Sequence, residues 1–230
     1  MTAQQLLTQF RNEMLDTAKP HFWSDEEILG YMDDAYKRFV RLMGGIADFT
    51  SDLTRVDIDA GDPVGILDKR ILRITEAFRV SDGGKISIIN HTDLTFTRDN
   101  DYGLIRPLHL DTLPGPVRYM LIGAERGKCK WVQIPETNDA AQLYVYRLPA
   151  TKIEMDGTNL DYEFDEIGDE HVPYLCLWMR HRGYMKQDAD TFDPKRAESF
   201  RAAFAEYCTL AKREWDRYKH KNREIQYGGL

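Results

Sequence analysis

The sequence predicts an α+β fold: a helical bundle formed by the N- and C-terminal helices, with a β-rich antiparallel sheet or sandwich inserted in the middle. Three observations carry that expectation. Apolar residues recur at helical spacing towards both termini, they alternate in the middle, and clusters of turn residues punctuate the middle. A chain of 230 residues with 42% hydrophobic side chains is long enough to bury a sizeable core, as one large domain or two small ones. The domains read as 1–49 with 169–224 for a helical part, 50–168 for a β-rich part, and 225–230 for a flexible tail.

Residues 3–17 form the first helix, with Leu6, Leu7, Phe10, Met14 and Leu15 at helical spacing. Ser24, followed three residues later by Glu27, is a capping-box signature, and Asp25, Glu26 and Glu27 load the positive end of a second helix. Ile28, Leu29, Met32, Ala35, Tyr36, Phe39, Val40 and Met43 then make one continuous apolar stripe, stopped by Gly44-Gly45. Towards the other end, Pro173 can occupy a first helical turn, with Val172, Leu175, Cys176 and Met179 on one face beside Trp178. Asp193-Pro194 is an N-cap followed by a first-turn proline, with Phe192 placed to staple over Ala197. Ala197, Phe200, Phe204, Tyr207, Ala211, Trp215 and Tyr218 follow on a long amphipathic helix. The residues expected to pack the helices are Leu29, Met32, Tyr36, Phe39, Phe200, Phe204, Tyr207 and Trp215.

Between these zones the period drops to two. Strand-like runs are Val56–Ile58, Ile71–Thr75, Lys85–Ile89, Leu94–Thr97, Tyr119–Ile122, Trp131–Ile134 and Leu143–Tyr146. Turn signals separate them at Ser81–Gly84, Asp99–Asp101, Pro114–Pro116 and Glu136–Asp139. From Glu154 to Glu170 there are eight acidic residues and no basic one. Within that stretch Leu160, Tyr162 and Phe164 alternate with carboxylates, as in a strand with one wet face. These carboxylates line one edge rather than converge, so a solvated or partner-facing surface fits them better than a cation site.

Composition sets further bounds. No run of about 18 uncharged apolar residues exists, which excludes a membrane-spanning helix. The opening residues do not read as a secretory signal. The formal net charge of −7 argues against a dedicated nucleic-acid binder. The charge is uneven: residues 180–230 carry 12 basic and 8 acidic side chains, the remainder 19 and 30. Such polarity suits a chain meeting different partners, or copies of itself, at its two ends, and equally a domain with two differently solvated faces. Cys129, Cys176 and Cys208 form no CxxC pair and read as reduced, with two of them on helical apolar faces, so no zinc site is expected. There is no phosphate loop, dinucleotide fingerprint, nucleophile elbow or zinc-protease motif, and the six histidines are scattered. The chain is expected to be neither an enzyme nor the holder of a cofactor or metal.

The segment Phe22-Trp23-Ser24-Asp25-Glu26-Glu27-Ile28-Leu29-Gly30-Tyr31, running on through Asp34-Ala35-Tyr36, resembles the opening helix of tailed-phage head-to-tail adaptor (connector) proteins. The segments His171–Tyr174, Met185–Thr191 (with a Lys186-Gln187-Asp188-Ala189-Asp190 connector) and Asp193–Ala197 are similar to that family's proline-started helix, connector and next long helix. The β-rich middle fits the larger adaptors of short-tailed phages, the tail tubular protein A type, in general layout.

The resemblance implies a virion structural protein. Its copies would form a ring, a dodecamer in that family, between the portal protein and the tail nozzle or tube. Genomic DNA would pass through the lumen without sequence-specific binding, and the virion neck, after assembly in the host cytoplasm, would be its place. The C-terminal segment would dock on the portal, through Arg217, Tyr218, Lys219, Lys221, Arg223, Tyr227 and Leu230. Two other readings stay open: a carbohydrate- or ligand-binding module or enzyme using Trp131, Tyr144 and Tyr146 of the β-rich part, and another virion part such as a stopper or tail terminator.

Overall fold

The fold is that of a computed structural model, which describes residues 1–91, 114–153, 159–187 and 191–219. Among the described residues it is α+β, with four helices and a curled mixed sheet. The chain divides into two compact units. One joins Met1–Gly45 to Pro149–Leu230, and the other is the contiguous stretch Ile46–Leu148.

The first unit is helical. Helix α1 (Ala3–Glu13) opens on a capping box in which the Thr2 hydroxyl accepts from Gln5 N–H, and the Gln5 side chain answers Thr2 N–H at 2.9 Å. Two residues beyond its end, Leu15 adopts a left-handed φ of 58° and stands 87% exposed, so Met14 and Leu15 do not extend the helix as their spacing suggests. The turn wins because Arg11 reaches Asp16, whose carboxylate accepts Phe22 N–H at 2.7 Å. Helix α2 (Asp25–Met43) has the expected capping box between Ser24 and Glu27 and ends on Gly44 at φ 96°, a conformation only glycine adopts without strain. Its stripe from Ile28 to Val40 is buried.

A 3₁₀ turn over Val172–Tyr174, with Pro173 in it, leads into α3 (Leu175–Tyr184). Helix α4 (Pro194–Lys219) follows, with Asp193 Oδ1 capping Arg196 N–H at 3.0 Å. Phe192 is 48% exposed, so the expected staple leaves much of its ring in solvent. Helix α2 packs on α3 and α4, α3 on α4, and α1 on α2 and α3. Gly183 lets α1 approach α3 closely, since an added Cβ would lie 3.1 Å from Met14 Cε and 3.2 Å from Phe10 Cζ. The stretch 160–165 is not a regular strand. It holds a 3₁₀ turn over Asn159–Asp161 and a single bridge between Glu163 and Thr2. The alternation survives without a strand: Phe164 is buried, while Asp161, Glu163 and Asp165 are exposed.

The second unit contains β1 (Ile46–Asp48), β2 (Arg55–Ile58), β3 (Val64–Ile66), β4 (Ile71–Arg79), β5 (Lys85–Asn90), β6 (Tyr119–Ile122), β7 (Lys128–Trp131) and β8 (Asp139–Arg147). The sheet order is β1-β8-β4-β5-β6-β7-β3, with β2 also on β8. The expectation of an all-antiparallel sheet is corrected here: β5 and β6 run parallel. Their connection is long enough for a crossover, where a tight hairpin would have forced antiparallel pairing. The expected strand at Trp131–Ile134 is also displaced, β7 being Lys128–Trp131. The run Leu94–Thr97 and the turn Asp99–Asp101 lie outside the described residues.

Val56, Ile58, Ala77, Ile86, Met120, Trp131, Leu143 and Val145 form the core of this unit. Gly65 is required beside it, because a Cβ there would come within 2.7 Å of Cys129 Sγ and 2.8 Å of the Trp131 ring. Within this core margin lies a buried ion pair, Arg147 Nε to Asp48 Oδ2. Burial opposes charge on Asp48. Hydrogen bonds from Ser51 and Arg147, and from the Thr50 and Ser51 N–H groups, outweigh it and hold the carboxyl well below the ordinary carboxylate range.

Candidate assembly surfaces

Two of the segments that carry the resemblance meet in the helical unit, while Asp188, Ala189 and Asp190 of the connector lie outside the described residues. Ser24 and Glu27 close the N-terminus of α2, and Lys186, just past α3, places its ammonium 2.9 Å from Glu27 Oε1 and 3.5 Å from the Phe22 carbonyl. The same ammonium lies 5.3 Å from the Phe22 ring centroid. Burial raises the Glu27 pKa, but Lys186 and the Ser24 N–H reverse that and leave it lowered. Two segments about 160 residues apart in sequence are thus joined by one charged hydrogen bond. The Lys186 contact was missed in the sequence because nothing local marks a partner so distant.

Other long-range polar contacts act the same way. Trp178 Nε1 donates to Asp34 Oδ2 at 2.8 Å, Ile153 N–H to Asp33 Oδ1 at 3.1 Å, and Arg180 to Glu13 Oε2 at 2.7 Å. Buried Tyr36 donates to Glu166 Oε2 at 3.3 Å. Burial first, then the charge of Glu166 and the neighbouring Tyr162, push its hydroxyl far above the phenol range. These groups hold the unit together, and none converges on an open cleft. Among the described residues there is no group of three or more His, Cys, Asp or Glu placed to hold a metal ion. The three cysteines are buried free thiols. Burial raises each of them, Cys129 and Cys208 to about 12, which leaves no reactive thiolate at neutral pH.

Of the residues expected to pack the helices, Leu29, Met32, Tyr36, Phe39 and Phe204 are buried, and Phe200 and Tyr207 are partly covered. Phe204 sits 5.5 Å from Trp178, and Tyr207 6.4 Å from Phe39. Trp215 differs: it lies on the same stripe, yet is 43% exposed. Helix α4 has 26 residues against 10 in α3, and its last buried position among the described residues is Ala211. The stripe outruns the helices it packs on. Of the expected docking residues, Arg217 is exposed and Tyr218 and Lys219 fall in the last helical turn. Lys221, Arg223, Tyr227 and Leu230 lie outside the described residues.

The two ends of the helical unit differ. At one end α1 and α3 finish while α2 and α4 begin, and Leu15, Met185 (44% exposed) and Phe192 project there. At the other end Ala3 N–H donates to the Tyr162 carbonyl at 2.9 Å, and His171 Nδ1 lies 2.8 Å from the Tyr207 hydroxyl. There Tyr174, 45% exposed, stacks on Tyr207 with ring centroids 3.7 Å apart. Burial, then the charges of Tyr174, Glu170 and Glu214, push the Tyr207 hydroxyl up to about 12.

The β unit offers a different surface. Phe49 is 53% exposed and stacks on Tyr144 at 5.1 Å, and Phe78 meets Tyr144 edge-on at 5.7 Å. Arg73 lies over Tyr146 at 4.5 Å. Trp131 is in the core, so the ligand surface of Trp131, Tyr144 and Tyr146 does not form. Strand alternation sends Trp131 inwards and the tyrosines outwards. The cavity beside β4 and β8, of about 150 Å³, is lined by Arg79, Ser81, Asp82, Glu136 and Asp139 among others, with Arg79 already spent on Asp82 and the Val117 carbonyl.

A comparison with protein-family models matches residues 1–223 to the SU10 adaptor protein family. The chain belongs to that family. No curated protein matches the sequence. The adaptor family points to a structural part of a phage virion's neck, in keeping with a helical unit whose signature residues hold helices together. No helix of the described residues is long and apolar enough to cross a membrane.

Proposed function

We propose that this adaptor is a ring-forming head-to-tail connector of the tail tubular type. Copies stand side by side, twelve to a ring, between the portal protein and the tail nozzle or tube. The helices act as a bundle that builds the ring wall, and the β unit faces a neighbouring tail component. The observation that carries this reading is the family match over residues 1–223, nearly the whole chain.

The C-terminal part of α4 and the residues after it are assigned to the portal. Arg217 stands exposed on α4 beyond Ala211, the last buried residue of the helix among those described, and the stretch continues in sequence with Lys219, Lys221 and Arg223. DNA passes through the lumen without sequence-specific contact. A net acidic chain suits that transit, since a basic lumen would hold the phosphate backbone.

Removal of residues 219–230 tests the docking assignment. Intact folding by circular dichroism with loss of binding to portal rings is the expected outcome. Unfolding of the truncated chain would place the segment in the core, and unchanged portal binding would place docking elsewhere. Imaging of the assembled complex tests the conduit: dense, unpaired Lys and Arg lining its lumen would defeat it.

A further inference from the structure

No further inference is drawn: the strongest candidate, the aromatic patch of Phe49, Phe78 and Tyr144 on the face of β4 and β8 that carries Tyr144, has both signs of charge beside it in Arg73, Lys85 and Glu76, and nothing in the structure shows what covers it.

Discussion

The two units of this chain are held together by different means. The helical unit joins pieces more than 100 residues apart in sequence, and it does so with specific side-chain contacts: Lys186 to Glu27, Trp178 to Asp34, Arg180 to Glu13. The β unit is one contiguous stretch whose strands pair through their backbones, and its core is almost wholly apolar. A backbone ladder is available to any sequence that can form strands. Two helices from opposite parts of a chain have no ladder between them, so side chains must fix their meeting. The helical unit has a buried pair of its own, Arg11 with Asp16, and adds many partly exposed contacts to it, while among the described residues the buried charge of the β unit lies in one pair, Arg147 with Asp48.

Arg147→Ala should therefore be the most damaging change to this contrast. It leaves Asp48 buried without its partner, and the β unit is expected to lose about 3–5 kcal/mol, read by chemical denaturation with the fluorescence of Trp131 as the local probe. If that loss were below about 1 kcal/mol, the pair would be no more than a surface contact and the contrast would fail. Acid probes the same pair without mutation. Asp48 titrates lower when folded than when unfolded, so its contribution is complete above the unfolded value of about 3.9 and declines as pH falls towards the folded value. The wild-type β unit should lose stability below about pH 4, and Asp48→Asn should flatten that dependence.

Gly65→Ala comes next, since its Cβ must displace Cys129 Sγ or the Trp131 ring. A cost of about 1–3 kcal/mol is expected, with a shift in Trp131 emission. The smallest effect belongs to the helical unit. Ser24→Ala removes one cap from α2 and should cost about 1 kcal/mol by thermal unfolding, because Lys186 still grips Glu27 and the buried stripe is untouched.

The helices were legible in the sequence where local chemistry decides them. Ser24 and Glu27, the stripe from Ile28 to Val40, Gly44, and Asp193 with Pro194 each act on residues within a few positions. The strands were legible as alternation, but the parallel pairing of β5 and β6 was not, because nothing local records which strands a long connection brings together. Leu15 was misread for a related reason. Its place on the α1 stripe is correct by spacing, and only the Arg11–Asp16 contact, made in three dimensions, turns the chain out of the helix first. Trp215 likewise fits its stripe, and only the short length of α3 leaves it uncovered. At the surfaces, the sequence showed a charge imbalance between the two parts of the chain. It could not show that Lys195 and Asp165 stand at opposite ends of one helical unit.

The polypeptide crosses between the units twice, at Gly45–Ile46 and again at Leu148–Pro149. A protease that severed one surface loop of the inserted stretch would sever no helix from its packed neighbours. Both fragments would stay gripped, one by α1 and α2 and the other by α3 and α4, through the contacts those helices already share. Nicked molecules would still migrate as one species until denatured.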